Sequence, residues 1–116
     1  MNVLITGIAS GIGKALAQIF INNSHVVYGI DINESCGIEN LHCFKCDITS
    51  TTSLLNVKEY LVNNNIALDM IINVAGIHKM ASLIESNYDE IKKVIDINLC
   101  GTILVNNSFH SLLKKN

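Results

Sequence analysis

The chain has no proline and no tryptophan, few aromatic residues of any kind and almost no net charge. With 5% aromatic against 49% hydrophobic residues, the core is an aliphatic one, rich in Ile, Leu and Val. Such a core suits a parallel sheet, whose strands are covered on both faces and read as continuous apolar runs. A formal net charge of −2 leaves no basic stripe for nucleic acid or for an anionic membrane surface. No apolar stretch reaches the ~20 residues needed to span a bilayer. The N-terminus lacks the basic segment of a secretion signal, so the expected location is cytoplasmic. Missing proline, beside abundant Asn, Ile and Lys, reads as nucleotide bias in the source genome and not as chemistry. Linkers, internal repeats and low-complexity tracts are also lacking, and 116 residues predict one domain spanning 1–116.

What is present is a regular alternation of short apolar runs and helical patterns. Periodicity predicts strand Asn2–Thr6, helix Ile12–Asn23, strands His25–Ile30 and Leu41–Lys45, helix Thr51–Asn64 and strand Leu68–Asn73. A long helical pattern then runs from about Asn87 to Leu113. Strands alternating with helices of this length indicate βαβ units and a parallel α/β sheet with right-handed crossovers. The last helix is apolar on several sides (Ile91, Val94, Ile95, Ile97, Leu99, Ile103, Leu104), so it expects neighbours on more than one face.

The chemistry gathers where strands end. Gly7-Ile8-Ala9-Ser10-Gly11-Ile12-Gly13 joins the first strand to the first helix with the spacing G-x3-G-x-G. Glycines let a ligand approach the backbone, and the helix N-terminus favours phosphate. Asp31, with Ile32 beside it, ends the second strand 18 residues after Gly13, where a carboxylate accepts hydrogen bonds from an adenosine ribose. The same carboxylate would repel the 2′-phosphate of NADP, and the turn offers Ser10 and not a base to offset it. NAD is therefore expected over NADP. Asp47-Ile48-Thr49 follows the third strand, where the carboxylate either binds an adenine amino group or makes an Asx turn. Asn73-Val74-Ala75-Gly76 closes the fourth strand with small residues that let a cofactor lie close, at the switch in strand order.

Thr6-Gly7-Ile8-Ala9-Ser10-Gly11-Ile12-Gly13, Asp31, Asp47-Ile48, Asn73-Val74-Ala75-Gly76 and Asp96-Ile97-Asn98 stand in the order and spacing of the short-chain dehydrogenase/reductase family. The chain resembles that family from end to end, although it matches only the first half or so of a typical member. The resemblance implies a Rossmann-type three-layer fold with strand order 3-2-1-4, lacking the later strands. It implies Gly7, Ser10, Gly11, Ile12 and Gly13 around the pyrophosphate, Asp31 on the adenosine ribose, and Asp47 and Ile48 about the adenine. Asn73, Ala75 and Gly76 would floor the nicotinamide side; Val74 departs from a second Asn in many members. Of the family's catalytic Asn, Ser, Tyr and Lys, only Asn98 has a counterpart here, where it would anchor a water that orients the Lys.

Three other constellations invite chemistry. Tyr88 and Lys92 have the family's Tyr-x3-Lys spacing, but they precede Asn98, and any surface helix shows that spacing by chance. Cys36, His42, Cys43 and Cys46 contain a C-x2-C, yet Cys43 and Cys46 on one strand project to opposite faces, so free thiols are expected and not zinc. His78 and Lys79 follow Gly76 and read as solvated loop. Two functions remain in view. One is the NAD(H)-binding part of an oxidoreductase that moves hydride between nicotinamide and an alcohol or carbonyl substrate, inactive as this isolated chain. The other is a non-catalytic nucleotide-binding or assembly module whose open sheet edge pairs with itself or with a complementing chain.

Overall fold

Asn2–Thr6 form β1, the strand whose alternation builds both helical layers. The structure is a computed structural model describing residues 1–33, 37–78, 81–82 and 84–115. Val3 and Ile5 face one way, packing with Ile8, Ala17 and Val27. Leu4 faces the other way, with Ile30, Leu54, Leu61, Val105 and Phe109. Helix α1 (Gly11–Asn22) covers the first face; α2 (Thr51–Asn63) and α4 (Thr102–Phe109) cover the second. Strands β2 (Val26–Asp31), β3 (His42–Lys45) and β4 (Met70–Asn73) complete a sheet of order β3-β2-β1-β4, parallel throughout. The α/β architecture and strand order are those the sequence implied. Thr6 pairs with both Ile30 and Asn73, so the carboxyl ends of three strands lie level at the switch between β1 and β4.

Two elements differ from the expectation by more than one residue at an end. The long helix is not uniform: α3 (Tyr88–Ile95) passes through a π-helical turn, Asp96–Gly101, into α4, and the rod ends in a 3-10 turn, His110–Leu112. A π turn holds one residue more than an α turn and rotates the residues beyond it about the axis. The turn carries both a side-chain clamp, Asn98 on Ile77, and a close contact of Gly101 with Ile48. Helix α3 begins at a capping box, in which Asn87 and Glu90 each accept the other's backbone amide. It buries none of its residues, leaving Tyr88 75% exposed.

The fourth strand is shorter than predicted because Leu68 pairs elsewhere. Its amide donates to the Leu112 carbonyl (2.8 Å) and its carbonyl accepts from Lys114 (2.9 Å), a parallel bridge on the side of β4 away from β1. Asp69 fastens this corner: its carboxylate accepts the Asn2 amide (2.6 Å) and meets Lys114 Nζ (2.9 Å). The Lys114 bond first, then the Asn2 amide, holds the Asp69 carboxyl below its ordinary range. A depressed carboxyl stabilises the fold above its unfolded pKa, and that stabilisation disappears as pH falls through the lower folded value. Urea titrations across the acid range should show a steeper loss in the native chain than in Asp69→Asn; parallel curves would refute the coupling. No helix among the described residues is long and apolar enough to cross a membrane.

Candidate nucleotide site

The chain leaves β1 at Thr6 and enters α1 at Gly11, so Gly7–Ser10 must reverse direction in four residues. Gly7 manages this with φ +75°, its amide donating to the Ile30 carbonyl at 2.7 Å. A Cβ on Gly7 would stand 2.8 Å from the backbone N and Cα of Ala75, and one on Gly13 would fall on the Gly7 carbonyl. Turn, helix and post-β4 segment therefore touch backbone to backbone. Gly11 also has positive φ (+55°), but a Cβ there would meet nothing within 4 Å. That side of the turn is open. Ile8 fixes the turn from below, fully buried over Gly29, where a Cβ would lie 2.7 Å from Ile8 Cγ1.

Ser10 is the N-cap of α1, yet its side chain makes no capping bond, and the first turn holds no acidic residue. The leading amides of a helix have no intrahelical carbonyl. An open face, uncapped amides and a helix N-terminus fit a diphosphate. Asp31, at the end of β2, stands beside the turn. One carboxylate oxygen accepts the Ala9 amide (3.0 Å), and the other accepts the Asn33 backbone (2.9 Å) and side-chain (3.1 Å) N–H groups. Ile32 beyond it is exposed. At the next strand end, Asp47 Oδ1 accepts both the amide (2.9 Å) and the hydroxyl (2.6 Å) of Thr49, an Asx turn, while Ile48 is buried.

Across β1, Thr6 is the one buried polar residue among the described residues, 1% exposed. Its Oγ1 accepts the amides of Val74 and Ala75, each at 3.1 Å. The Asn73 side chain donates to Asn106 Oδ1 (2.9 Å), tying β4 to α4. Asn98, in the π turn, brackets Ile77: Oδ1 accepts its amide (2.8 Å) and Nδ2 donates to its carbonyl (2.6 Å). Gly76 leaves room for that bracket, since a Cβ there would come 3.2 Å from Asn98 Oδ1. The Thr102 hydroxyl donates to the Asn98 carbonyl at 3.0 Å.

The structure thus gathers Gly7–Gly13, Asp31, Asn73–Gly76 and Asn98 about the ends of β1, β2 and β4, with Asp47 and Ile48 at the end of β3. Tyr88 and Lys92 stand apart on the exposed start of α3. Lys79 and Cys36 lie outside the described residues. Cys43 and Cys46 do face opposite layers. Cys43 departs from the expected free thiols, being held in a disulfide: projecting away from Cys46 argues against a shared metal ion but not against a bond to another cysteine. Cys46 and Cys100 are free. Burial first, then the neighbouring Asp47 charge, pushes the Cys46 thiol up to about 11. Iodoacetamide at neutral pH should therefore label exposed Cys100 well before Cys46; equal rates by mass spectrometry would contradict the packing.

Sequence reasoning missed Thr6 as a brace, Asn106 and Gly101. Only Thr6 left a readable signal, because period-two alternation puts it on the same face as buried Leu4.

Similarity to known proteins points one way. The family profile described as short chain dehydrogenase matches residues 1–116. Zerumbone synthase of Zingiber zerumbet is 30% identical over 112 residues, covering 87% of this chain and 42% of its own length. A short chain dehydrogenase family protein from Francisella tularensis superposes with TM-score 0.84 at 35% identity, over 97% of this chain and 46% of that one. A short chain dehydrogenase from Leptospira borgpetersenii, solved with bound NAD+, superposes with TM-score 0.88 at 27% identity, over 96% and 45%. The chain spans about two-fifths of the length of the curated relatives it matches, 38–42% in three of them.

Proposed function

Because the chain belongs to the short-chain dehydrogenase/reductase family, we propose that residues 1–116 are the NAD(H)-binding unit of an oxidoreductase acting between an alcohol and a carbonyl. Family membership supplies the reaction class. The observation that carries the assignment to this surface is the turn at the start of α1, uncapped by any side chain and open at Gly11, with Asp31 beside it. Gly7, Ser10, Gly11, Ile12 and Gly13 hold the diphosphate; Asp31 and Ile32 take the adenosine ribose; Asp47 and Ile48 take the adenine. Asn73, Ala75 and Gly76 form the floor of the nicotinamide side. When bound, the nicotinamide supplies or accepts the hydride. Asn98 acts through position: its bracket on Ile77 shapes the loop past Gly76.

Titration of the purified chain with NAD+ and ADP-ribose by calorimetry tests this, and absence of heat with both would end it. The 116-residue chain has no Tyr after Asn98 to act as general acid, so by itself it turns over no alcohol or carbonyl. NADH consumption with a panel of carbonyls would overturn that part alone. A second reading has its own observation: Ile95, Leu99 and Ile103 are exposed at four-residue spacing along the rod. They favour self-association or pairing with a complementing chain. A monomer at every concentration in sedimentation velocity would remove self-association.

A further inference from the structure

The turn after β3 and the helix carrying Asn98 meet at a point where one side chain is missing. Gly101 closes the π turn and is buried. A Cβ on it would lie 2.6 Å from Ile48 Cδ1 and 2.8 Å from Ile48 Cγ1. Ile48 is 7% exposed and belongs to the cluster of Cys46, Leu54 and Val105. Its neighbours bond among themselves: Thr49 donates twice to Asp47 Oδ1, and the Ser50 amide donates to the Asp47 carbonyl (3.0 Å). Asp47–Ser50 is therefore a turn that runs into the N-cap of α2 at Ser50, with one apolar side chain, Ile48, inserted into the core. Gly101 is the socket that receives it.

We propose that Gly101 is a positioning residue for the adenine end of the cleft: lacking a side chain, it seats Ile48 and so sets where the Asp47–Ile48 backbone stands. This rests on the proposed dinucleotide binding. The π turn gains a second role by it. Three residues before Gly101, Asn98 brackets Ile77 on the nicotinamide side. One helical turn thus holds both ends of the cleft, Ile48 through a missing side chain and Ile77 through an amide.

The test is calorimetry of Gly101→Ala with three probes: AMP, nicotinamide mononucleotide and NAD+. Displacing Ile48 should weaken AMP and NAD+ by about three- to tenfold, the range for one disturbed hydrogen bond. Nicotinamide mononucleotide should be unaffected. Ile48→Ala removes the inserted side chain without adding bulk, and should show the same selective loss. The two changes combined should be no worse than either alone, since they act on one contact. Unchanged AMP affinity in Gly101→Ala, or equal losses of AMP and nicotinamide mononucleotide, would overturn the proposal. Should Gly101→Ala not fold, Ile48→Ala decides alone, and undiminished AMP binding there overturns it. An unsubstituted chain that binds neither AMP nor NAD+ removes the dinucleotide site itself, and the role of Gly101 falls with it.

Discussion

Gly13→Ala should abolish dinucleotide binding and lower stability by about 2–4 kcal/mol, the largest effect expected from adding one methyl group to this chain. The new Cβ would fall on the Gly7 carbonyl, a backbone atom that no rotamer change can move aside. Gly7 in turn is fixed by the hydrogen bond its N–H donates to the Ile30 carbonyl and by the Ala75 backbone pressed against it. Relief must come from pushing α1 away from the turn, which separates the helix amides from the strand end. Gly11→Ala is the control. Its φ is positive, unlike that of helical Gly13, and the added methyl points into open space, so the expected stability cost is only the left-handed strain of about 1–2 kcal/mol. Urea unfolding of both variants separates the cases, and NAD+ calorimetry reads the loss of binding in Gly13→Ala. A Gly13→Ala chain as stable as Gly11→Ala would show that the turn has slack the close contacts deny.

That contrast also marks what the sequence made legible. β1 was predicted at its observed bounds, because Val3, Leu4 and Ile5 form a fully apolar run closed by Thr6 and Gly7. The glycine turn was legible because its constraint is local: a strand, four residues and a helix leave the backbone few routes. The π turn was not legible. Nothing in Asp96–Gly101 taken alone distinguishes it from α-helix; it is held by partners more than 20 and 50 residues away, Ile77 and Ile48. The bounds of β4 failed for a related reason, since Leu68 is strand-like but pairs with residues 112–114 and not with β1. Asp47 sits between the two cases. The Asx turn weighed from its sequence is present, and the adenine role is compatible with it because the turn leaves the loop at a strand end.

Asp31 carries the second large prediction, and its two proposed roles can be separated. A carboxylate about 4 Å from a 2′-phosphate is opposed by ~4 kcal/mol at an effective dielectric near 20. Partial exposure and salt reduce this, so NAD+ should be favoured over NADP+ by about tenfold or more at moderate ionic strength. Yet the same carboxylate accepts the Ala9 amide inside the glycine turn, a charge-assisted bond of about 1.5–3 kcal/mol. Asp31→Ala therefore removes both the repulsion and a brace of the diphosphate turn: NADP+ gains relative to NAD+, while stability falls. Asp31→Asn can keep its one acceptor oxygen for Ala9 and loses the charge together with the acceptor that the Asn33 N–H groups use. It should narrow the NAD+/NADP+ ratio as far as the Ala variant does, with less loss of stability. Calorimetry with both dinucleotides at two salt concentrations, paired with urea unfolding, reads the two effects independently. Equal NAD+ and NADP+ affinities in the unsubstituted chain would mean that Asp31 serves the turn alone and selects nothing.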